Sequence, residues 1–121
     1  MDNNNINIKD CYFYHTMELP NYGVVEGEWD LRENISRYLG NVNFKNKNVL
    51  DVGCANGFLS FEMENMGAKV TSYDLSPIEN WDIVPHHNIN YNQEILIRKK
   101  HIEKINNGFY TFPFFLYPLH C

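Results

Sequence analysis

The sequence predicts an α/β fold in one domain of 121 residues, and three features between residues 48 and 74 carry this prediction. Residues 48–52 form a short, apolar, β-branched run that is typical of a buried strand. Residues 58–66 place apolar side chains at helical spacing and are followed by Gly67. Residues 69–73 form a second short run, which ends at Asp74. This order predicts two parallel strands joined by a right-handed helical crossover.

The part of the chain before these strands predicts one further helix. Residues 11–20 are rich in aromatic side chains, and residues 21–27 carry the glycines of a loop. Asp30 is expected to begin the helix and to form a capping-box-like pair with Glu33. Gly40 stands where a C-terminal glycine belongs. The apolar residues expected on one face of this helix are Leu31, Ile35, Tyr38 and Leu39.

The part of the chain after Asp74 predicts an irregular connection that carries Trp81, followed by a helix over residues 93–106. Ile95, Ile102 and Ile105 fall on the inward face of this helix, and Gly108 is expected to end it. Residues 109–121 are mostly aromatic and are interrupted by prolines, so they predict partial cover for the sheet rather than a central strand.

Charge and composition exclude several classes of protein. The net charge of −5 gives no global positive field that would attract nucleic acid. No apolar run approaches the ~20 residues that span a bilayer, and the N-terminus lacks the features of a secretory signal. Three scattered cysteines do not predict a disulfide framework. We therefore expect a cytoplasmic protein with no membrane partner.

The most informative feature is the glycine-containing loop between the first predicted strand and its helix, from Asp51 to Gly57. Glycines let the backbone turn sharply and let a ligand approach closely, and the helix behind offers unpaired N–H groups. Asp74 follows about 20 residues after Gly53, at the end of the next strand, where a carboxylate can bind ribose hydroxyls. Together these features indicate a cofactor that contains a nucleoside.

The identity of the loop residues separates two classes of nucleoside cofactor. A dinucleotide site uses the pattern G-x-G-x-x-G, whereas this loop reads Gly53-x-Ala55-x-Gly57 with Asp51 two residues ahead. That carboxylate would repel a pyrophosphate but suits a cationic amino-acid end. The spacing therefore favours S-adenosylmethionine over NAD.

The run from Val49 to Gly57 resembles the first motif, D-x-G-x-G-x-G, of class I SAM-dependent methyltransferases. The resemblance implies a Rossmann-like fold, with Asp74 as the ribose-binding acid and Leu75 as its neighbour that packs on adenine. Ala55 departs from the motif's middle glycine, which predicts less tolerance for a close backbone approach. The cofactor-binding residues that the resemblance implies are Asp51, Gly53, Cys54, Ala55, Gly57, Asp74 and Leu75. It assigns no catalytic base and no metal ligand.

A finer resemblance extends over residues 12–110. Residues 15–20, 26–32 and 57–64, with Trp81-Asp82, are similar to a branch related to the tRNA wobble-uridine carboxymethyltransferases. Members of this branch act on diverse acceptors, so the resemblance leaves the acceptor open between a small molecule and tRNA.

The sequence also predicts that this domain is incomplete. An open α/β sheet of this kind needs several parallel strands, and only two are recognisable. We expect residues 1–46 to form an N-terminal extension with its helix, and residues 47–121 to form the first part of a truncated Rossmann-like core. The adenine wall and the acceptor pocket would then come from elsewhere, through self-association or a separately encoded C-terminal half. The alternative is a non-catalytic remnant or nucleoside-binding module.

Three other groups of residues could have a function, and each also has an ordinary structural explanation. The first group could be imagined as zinc ligands but does not match a recognised zinc spacing; it consists of Cys11, His15, His86, His87, His120 and Cys121. The basic run at Arg98–His101 is more typical of a solvated helix face than of an RNA contact. The third group, His15, Tyr22 and Trp29, precedes the first strand of the unit and would either cover the cofactor or pack on the domain.

Overall fold

The strand–helix–strand unit predicted over residues 48–74 is present in the computed structural model, which describes residues 7–20, 22–76 and 78–111. Short 3₁₀ turns occur at Ile8–Asp10 and Arg32–Asn34. The remaining elements are, in chain order, β1 (Met17–Leu19), β2 (Gly23–Val25), α1 (Ile35–Tyr38), β3 (Asn48–Val52), α2 (Phe58–Asn65), β4 (Lys69–Tyr73) and α3 (Tyr91–Thr111). The fold is therefore α/β, as predicted.

Strands β3 and β4 pair in parallel, with Asn48 opposite Lys69 and Val52 opposite Tyr73. Their side chains alternate between two faces, as the period of a strand requires. Helix α2 covers one face, where the Ser60 hydroxyl donates to Asp51 at 2.6 Å and lies 2.7 Å from the Ser72 hydroxyl. These contacts fix the helix on the carboxyl halves of both strands.

The opposite face of this sheet is open, which corrects the prediction of a buried strand over residues 48–52. Leu50, Val52 and Tyr73 are 63%, 68% and 67% exposed. The apolar run predicted burial on both faces, but in the described part of the chain only the α2 side is covered. Residues 112–121, most of the segment predicted to cover the sheet, lie outside the described residues.

An antiparallel hairpin is formed by β1, in the aromatic-rich segment 11–20, and β2, within residues 21–27 that the sequence predicted as a loop. Met17 pairs with Val25 and Leu19 with Gly23, and the side chains of Met17, Leu19 and Val25 are buried. Each strand is only three residues long, too short to show a clear alternation in the sequence. The hairpin packs with Phe13, Phe58 and other residues in the main hydrophobic cluster.

The helix predicted from Asp30 is shorter than expected. A 3₁₀ turn precedes α1, which is a single turn. Asp30 does not cap it, because its carboxylate pairs with Arg32 at 2.6 Å and accepts the Arg32 N–H. Gly40 adopts a left-handed φ of 70°, and the following N–H returns to Ser36 O, so the predicted glycine end is confirmed.

Helix α3 begins and ends beyond the predicted bounds and runs through Gly108. A Cβ at residue 108 would lie 2.6 Å from the Asn56 side chain and 3.3 Å from Phe13. Glycine is therefore used here for close packing rather than to end the helix. Ile102 and Ile105 are buried, as predicted. None of the described helices is both long and apolar enough to cross a membrane.

Candidate functional site

The loop after β3 winds through three left-handed backbone positions. Gly53, Ala55 and Gly57 have φ values of 79°, 48° and 84°. Glycine adopts such values freely, whereas alanine does so at a cost, because its Cβ approaches the following carbonyl. Ala55 therefore retains the conformation that a glycine would take. The loop backbone is anchored by the Gly53 N–H, which donates to Tyr73 O at 2.7 Å.

Asp74 connects the end of β4 to this loop. One of its carboxylate oxygens accepts a hydrogen bond from the Ala55 N–H, and the other accepts one from the Leu75 N–H at 2.7 Å. Because parallel strands end at the same edge of the sheet, Asp74 contacts Ala55 although 19 positions separate them in the chain. The side chain is exposed, and each oxygen keeps further capacity to accept hydrogen bonds.

A cavity of about 260 Å³ lies against the loop and Asp74. Gly53, Ala55, Asp74 and Leu75 line one side of it, so the structure brings together four of the seven residues that the resemblance implied. The opposite side consists of residues that the sequence did not assign to the cofactor, namely Tyr14, His15, Trp81, Ile102, Ile105 and Asn106. The cavity therefore has a polar side at the strand ends and a largely aromatic and aliphatic wall.

Most of this wall comes from the part of the chain after Asp74. Ile102, Ile105 and Asn106 share one face of α3, and Trp81 belongs to the irregular connection before that helix. The Trp81 ring lies 5.3 Å from His101, which also contacts the Tyr12 ring at 4.3 Å. Elements within this chain thus close the cavity on the side away from the sheet.

Three residues assigned from the resemblance do not line the cavity. Asp51 accepts a hydrogen bond from Ser60 beneath the loop. The Cys54 thiol is half-buried, and burial, together with the charges of Asp74 and Asp51, raises its pKa to about 12. This thiol therefore keeps its proton at neutral pH and is a poor nucleophile.

Gly57, the third of these residues, faces the hydrophobic core. A Cβ at this position would lie 2.7 Å from the Phe61 ring and 2.8 Å from Phe109. Gly57 is thus required both for its positive φ and for the close approach of α3 to the start of α2.

Of the three residues predicted either to cover the cofactor or to pack on the domain, only His15 lines the cavity. Its ring stacks on Phe58 with centroids 5.1 Å apart. Burial lowers its pKa, while the charge of Asp51 acts in the opposite direction. The imidazole is therefore predominantly neutral at pH 7. Tyr22 and Trp29 are 52% and 64% exposed and belong to the hairpin region.

Asn56, inside the glycine-containing loop, is a structural residue that the sequence analysis missed. It is 1% exposed. Its amide nitrogen donates to Tyr12 O at 2.8 Å and Ile105 O at 2.9 Å, and its oxygen accepts the Tyr14 N–H at 2.9 Å. One side chain thus joins the loop to the N-terminal segment and to α3. No sequence pattern identifies partners that lie more than 40 positions away.

This cavity is the candidate site because of the residues that line it, although larger clefts exist. A cleft beside residues 82–98 has a larger volume, about 540 Å³, but it lies away from the strand ends and the loop after β3. Arg98 in that region pairs with Glu94 and donates to Asp82 O, both at 2.8 Å, so it holds the connection before α3. Lys99 and Lys100 are exposed, as expected for a solvated helix face. Across residues 7–20, 22–76 and 78–111, no three His, Cys, Asp or Glu side chains form a group that could hold a metal ion.

Comparison with known proteins gives one match. A family model described as a methyltransferase domain matches residues 26–110, which is more than half of the chain. Comparisons with curated proteins and with solved structures found no match. The matched region includes every residue that lines the cavity except Tyr14 and His15.

Proposed function

Because the chain belongs to the methyltransferase-domain family, we propose that it binds S-adenosylmethionine in the cavity at the strand ends and serves SAM-dependent methyl transfer. The observation that carries this proposal is the meeting of the left-handed loop at Gly53–Ala55 with the Asp74 carboxylate beside an apolar wall. A carboxylate suits the hydroxyls of a ribose, and an apolar surface suits a purine. The cavity therefore fits the nucleoside part of this cofactor.

Each side of the cavity has a distinct role in this proposal. Asp74 would accept hydrogen bonds from the ribose hydroxyls, because its bonds to the Ala55 and Leu75 N–H groups leave further lone pairs on both oxygens. Leu75 and Trp81 would pack against the purine. The charges of Asp51 and Asp74 favour a cationic ligand near the loop. When bound, the cofactor supplies a methyl group already activated on a sulfonium, so the protein mainly has to orient the acceptor and exclude water.

The test is calorimetric titration of the chain with S-adenosylhomocysteine. We expect binding by the unaltered protein and a loss of about tenfold or more in affinity for Asp74→Ala, because charge-assisted hydrogen bonds contribute about 1.5–3 kcal/mol. Asp82→Ala is the matched control, since Asp82 is exposed and does not line the cavity. Absence of binding by the unaltered protein would refute the proposal, and equal affinities of the two variants would remove Asp74 from the site.

The acceptor and the branch rest on the sequence resemblance alone. The likeness to relatives of the wobble-uridine carboxymethyltransferases leaves tRNA and small molecules as acceptor classes. A second candidate function, a nucleoside-binding module without transferase activity, is favoured by the open sheet face at Leu50, Val52 and Tyr73. A turnover assay of the 121-residue chain with a panel of acceptors separates the two functions. Methylation of any acceptor would exclude the binding module, and cofactor binding without turnover on the whole panel would favour it.

A further inference from the structure

A second cleft, of about 780 Å³, lies between the β1–β2 hairpin and α2. The apolar side chains that line it come from both elements and include Met17, Leu19, Phe58 and Phe61. None of its lining residues belongs to the cavity at the strand ends. Its volume falls within the range of about 300–1,000 Å³ that is typical of ligand sites. The cleft therefore has room for an occupant that is distinct from the proposed cofactor.

The last ten residues of the sequence, 112–121, are called the C-terminal tail here, and they have the composition of an apolar ligand. They include three phenylalanines, two leucines, one tyrosine and two prolines, and no Asp, Glu, Lys or Arg. Removing apolar surface of this size from water is favourable. A segment of this composition is therefore expected to bind to a surface of the protein rather than to stay in water.

The prolines of the tail favour a groove over the edge of a sheet. Proline lacks the N–H that a strand ladder requires, so Pro113 and Pro118 disfavour pairing of the tail with β3 or β4. Segments that contain proline instead bind grooves lined by aromatic side chains. Tyr22, Phe58 and Phe61 supply such a lining in the cleft between the hairpin and α2.

The end of α3 places the start of the tail beside this cleft. The Phe109 ring lies 6.1 Å from the ring of Phe61, which lines the cleft. Helix α3 ends at Thr111, two residues after Phe109. A residue spans at most about 3.3–3.6 Å, so Phe114 lies within about 11 Å of Thr111. The exposed face of the parallel sheet is on the side away from α2, so the tail reaches the cleft first.

We propose that the C-terminal tail binds in the cleft between the hairpin and α2 of its own chain, with its phenylalanine rings against the aromatic lining. This location differs from the cover for the sheet that the sequence predicts for this segment. It joins the end of α3 to α2 and to the hairpin, and it does not depend on the proposed function.

The test is photo-crosslinking of the full chain with benzoylphenylalanine in place of Phe114, followed by peptide mapping. We expect adducts within one chain, on residues 17–23 and 58–65, which contain most of the cleft lining. Benzoylphenylalanine in place of Tyr91 is the matched control. Tyr91 is an exposed aromatic residue at the opposite end of α3 and does not line the cleft, so it should give no adduct there.

Each other result of the mapping would overturn the inference. Adducts on residues 48–52 or 69–73 would show that the tail covers the sheet. Adducts between two chains would show that the cleft binds the tail of a second copy. Absence of any adduct within the chain would show that the tail does not bind to it.

A pair of truncated side chains tests the same contact without a crosslinker. Phe114→Ala should lower the midpoint of thermal unfolding by about 5 °C or more, because a buried ring is lost. Tyr110→Ala should cause less than half this shift, since Tyr110 is 63% exposed and does not line the cleft. Equal shifts for the two variants would contradict burial of Phe114 in the cleft.

Discussion

At the scale of single residues, Ala55 holds the middle left-handed position of the loop that lines the cavity. Its φ of 48° is a conformation that an L side chain adopts only with strain. Its N–H is nevertheless the group that donates to Asp74. The loop geometry is therefore maintained by contacts around it, and the side chain opposes that geometry.

Replacing Ala55 with glycine should relieve this strain. We expect Ala55→Gly to raise the free energy of unfolding by about 0.5–1 kcal/mol in urea titration, because the native conformation suits glycine better. Ala68→Gly is the matched control, since Ala68 has no positive φ and should lose stability through the greater freedom of the unfolded chain. If both substitutions lower stability equally, Ala55 is not strained.

At the scale of elements, the Asn56 side chain connects the glycine-containing loop, the N-terminal segment and α3. Residues from all three parts line the cavity, together with Asp74, Leu75 and Trp81. The shape of the cavity therefore depends on a residue that does not line it.

Removing this connection should be costly for folding. We expect Asn56→Ala to lower the free energy of unfolding by about 2–4 kcal/mol, because one buried and two part-buried backbone groups lose a partner. Hydrogen exchange should also become faster in α3.

Asn107→Ala provides the comparison for this change. It removes one exposed hydrogen bond from α3 to Asp10 O, so it should cost less than about 1 kcal/mol. Similar losses for the two variants would show that Asn56 has no special role in joining the elements.

At the scale of the whole molecule, the main hydrophobic cluster lies between the hairpin, Phe13 and α2, whereas the outer face of the parallel sheet is exposed. Exposed apolar strands promote association between chains. We expect the protein to self-associate through Leu50, Val52 and Tyr73, and the mass measured by light scattering should rise with concentration.

A charge on this face should oppose the association. Val52→Lys should shift the protein toward the monomer. Val24→Lys, in the hairpin at a position that is 53% exposed, should not. A monomer at all concentrations, or equal effects of the two lysines, would contradict association through the sheet face.

The sequence by itself determined the elements whose signals are local. β3, α2 and β4 lie within one residue of their predicted bounds, because short β-branched runs, helical spacing and Gly67 act over a few neighbouring positions. The hairpin was missed because its strands are short, and the end of α3 was misplaced because Gly108 is used for packing against Phe13 and Asn56.

For the candidate site, the sequence determined the side that belongs to the strand ends, namely Gly53, Ala55, Asp74 and Leu75. Parallel pairing brings these residues together from a fixed spacing along the chain. Only the tertiary structure decided the opposite wall and the partners of Asn56. The contacts of Tyr14, Trp81 and Asn106 with this cavity depend on how α3 and the N-terminal segment pack. Packing of this kind joins residues far apart in the chain through side-chain shape and hydrogen bonds, which leave no periodic pattern in the sequence.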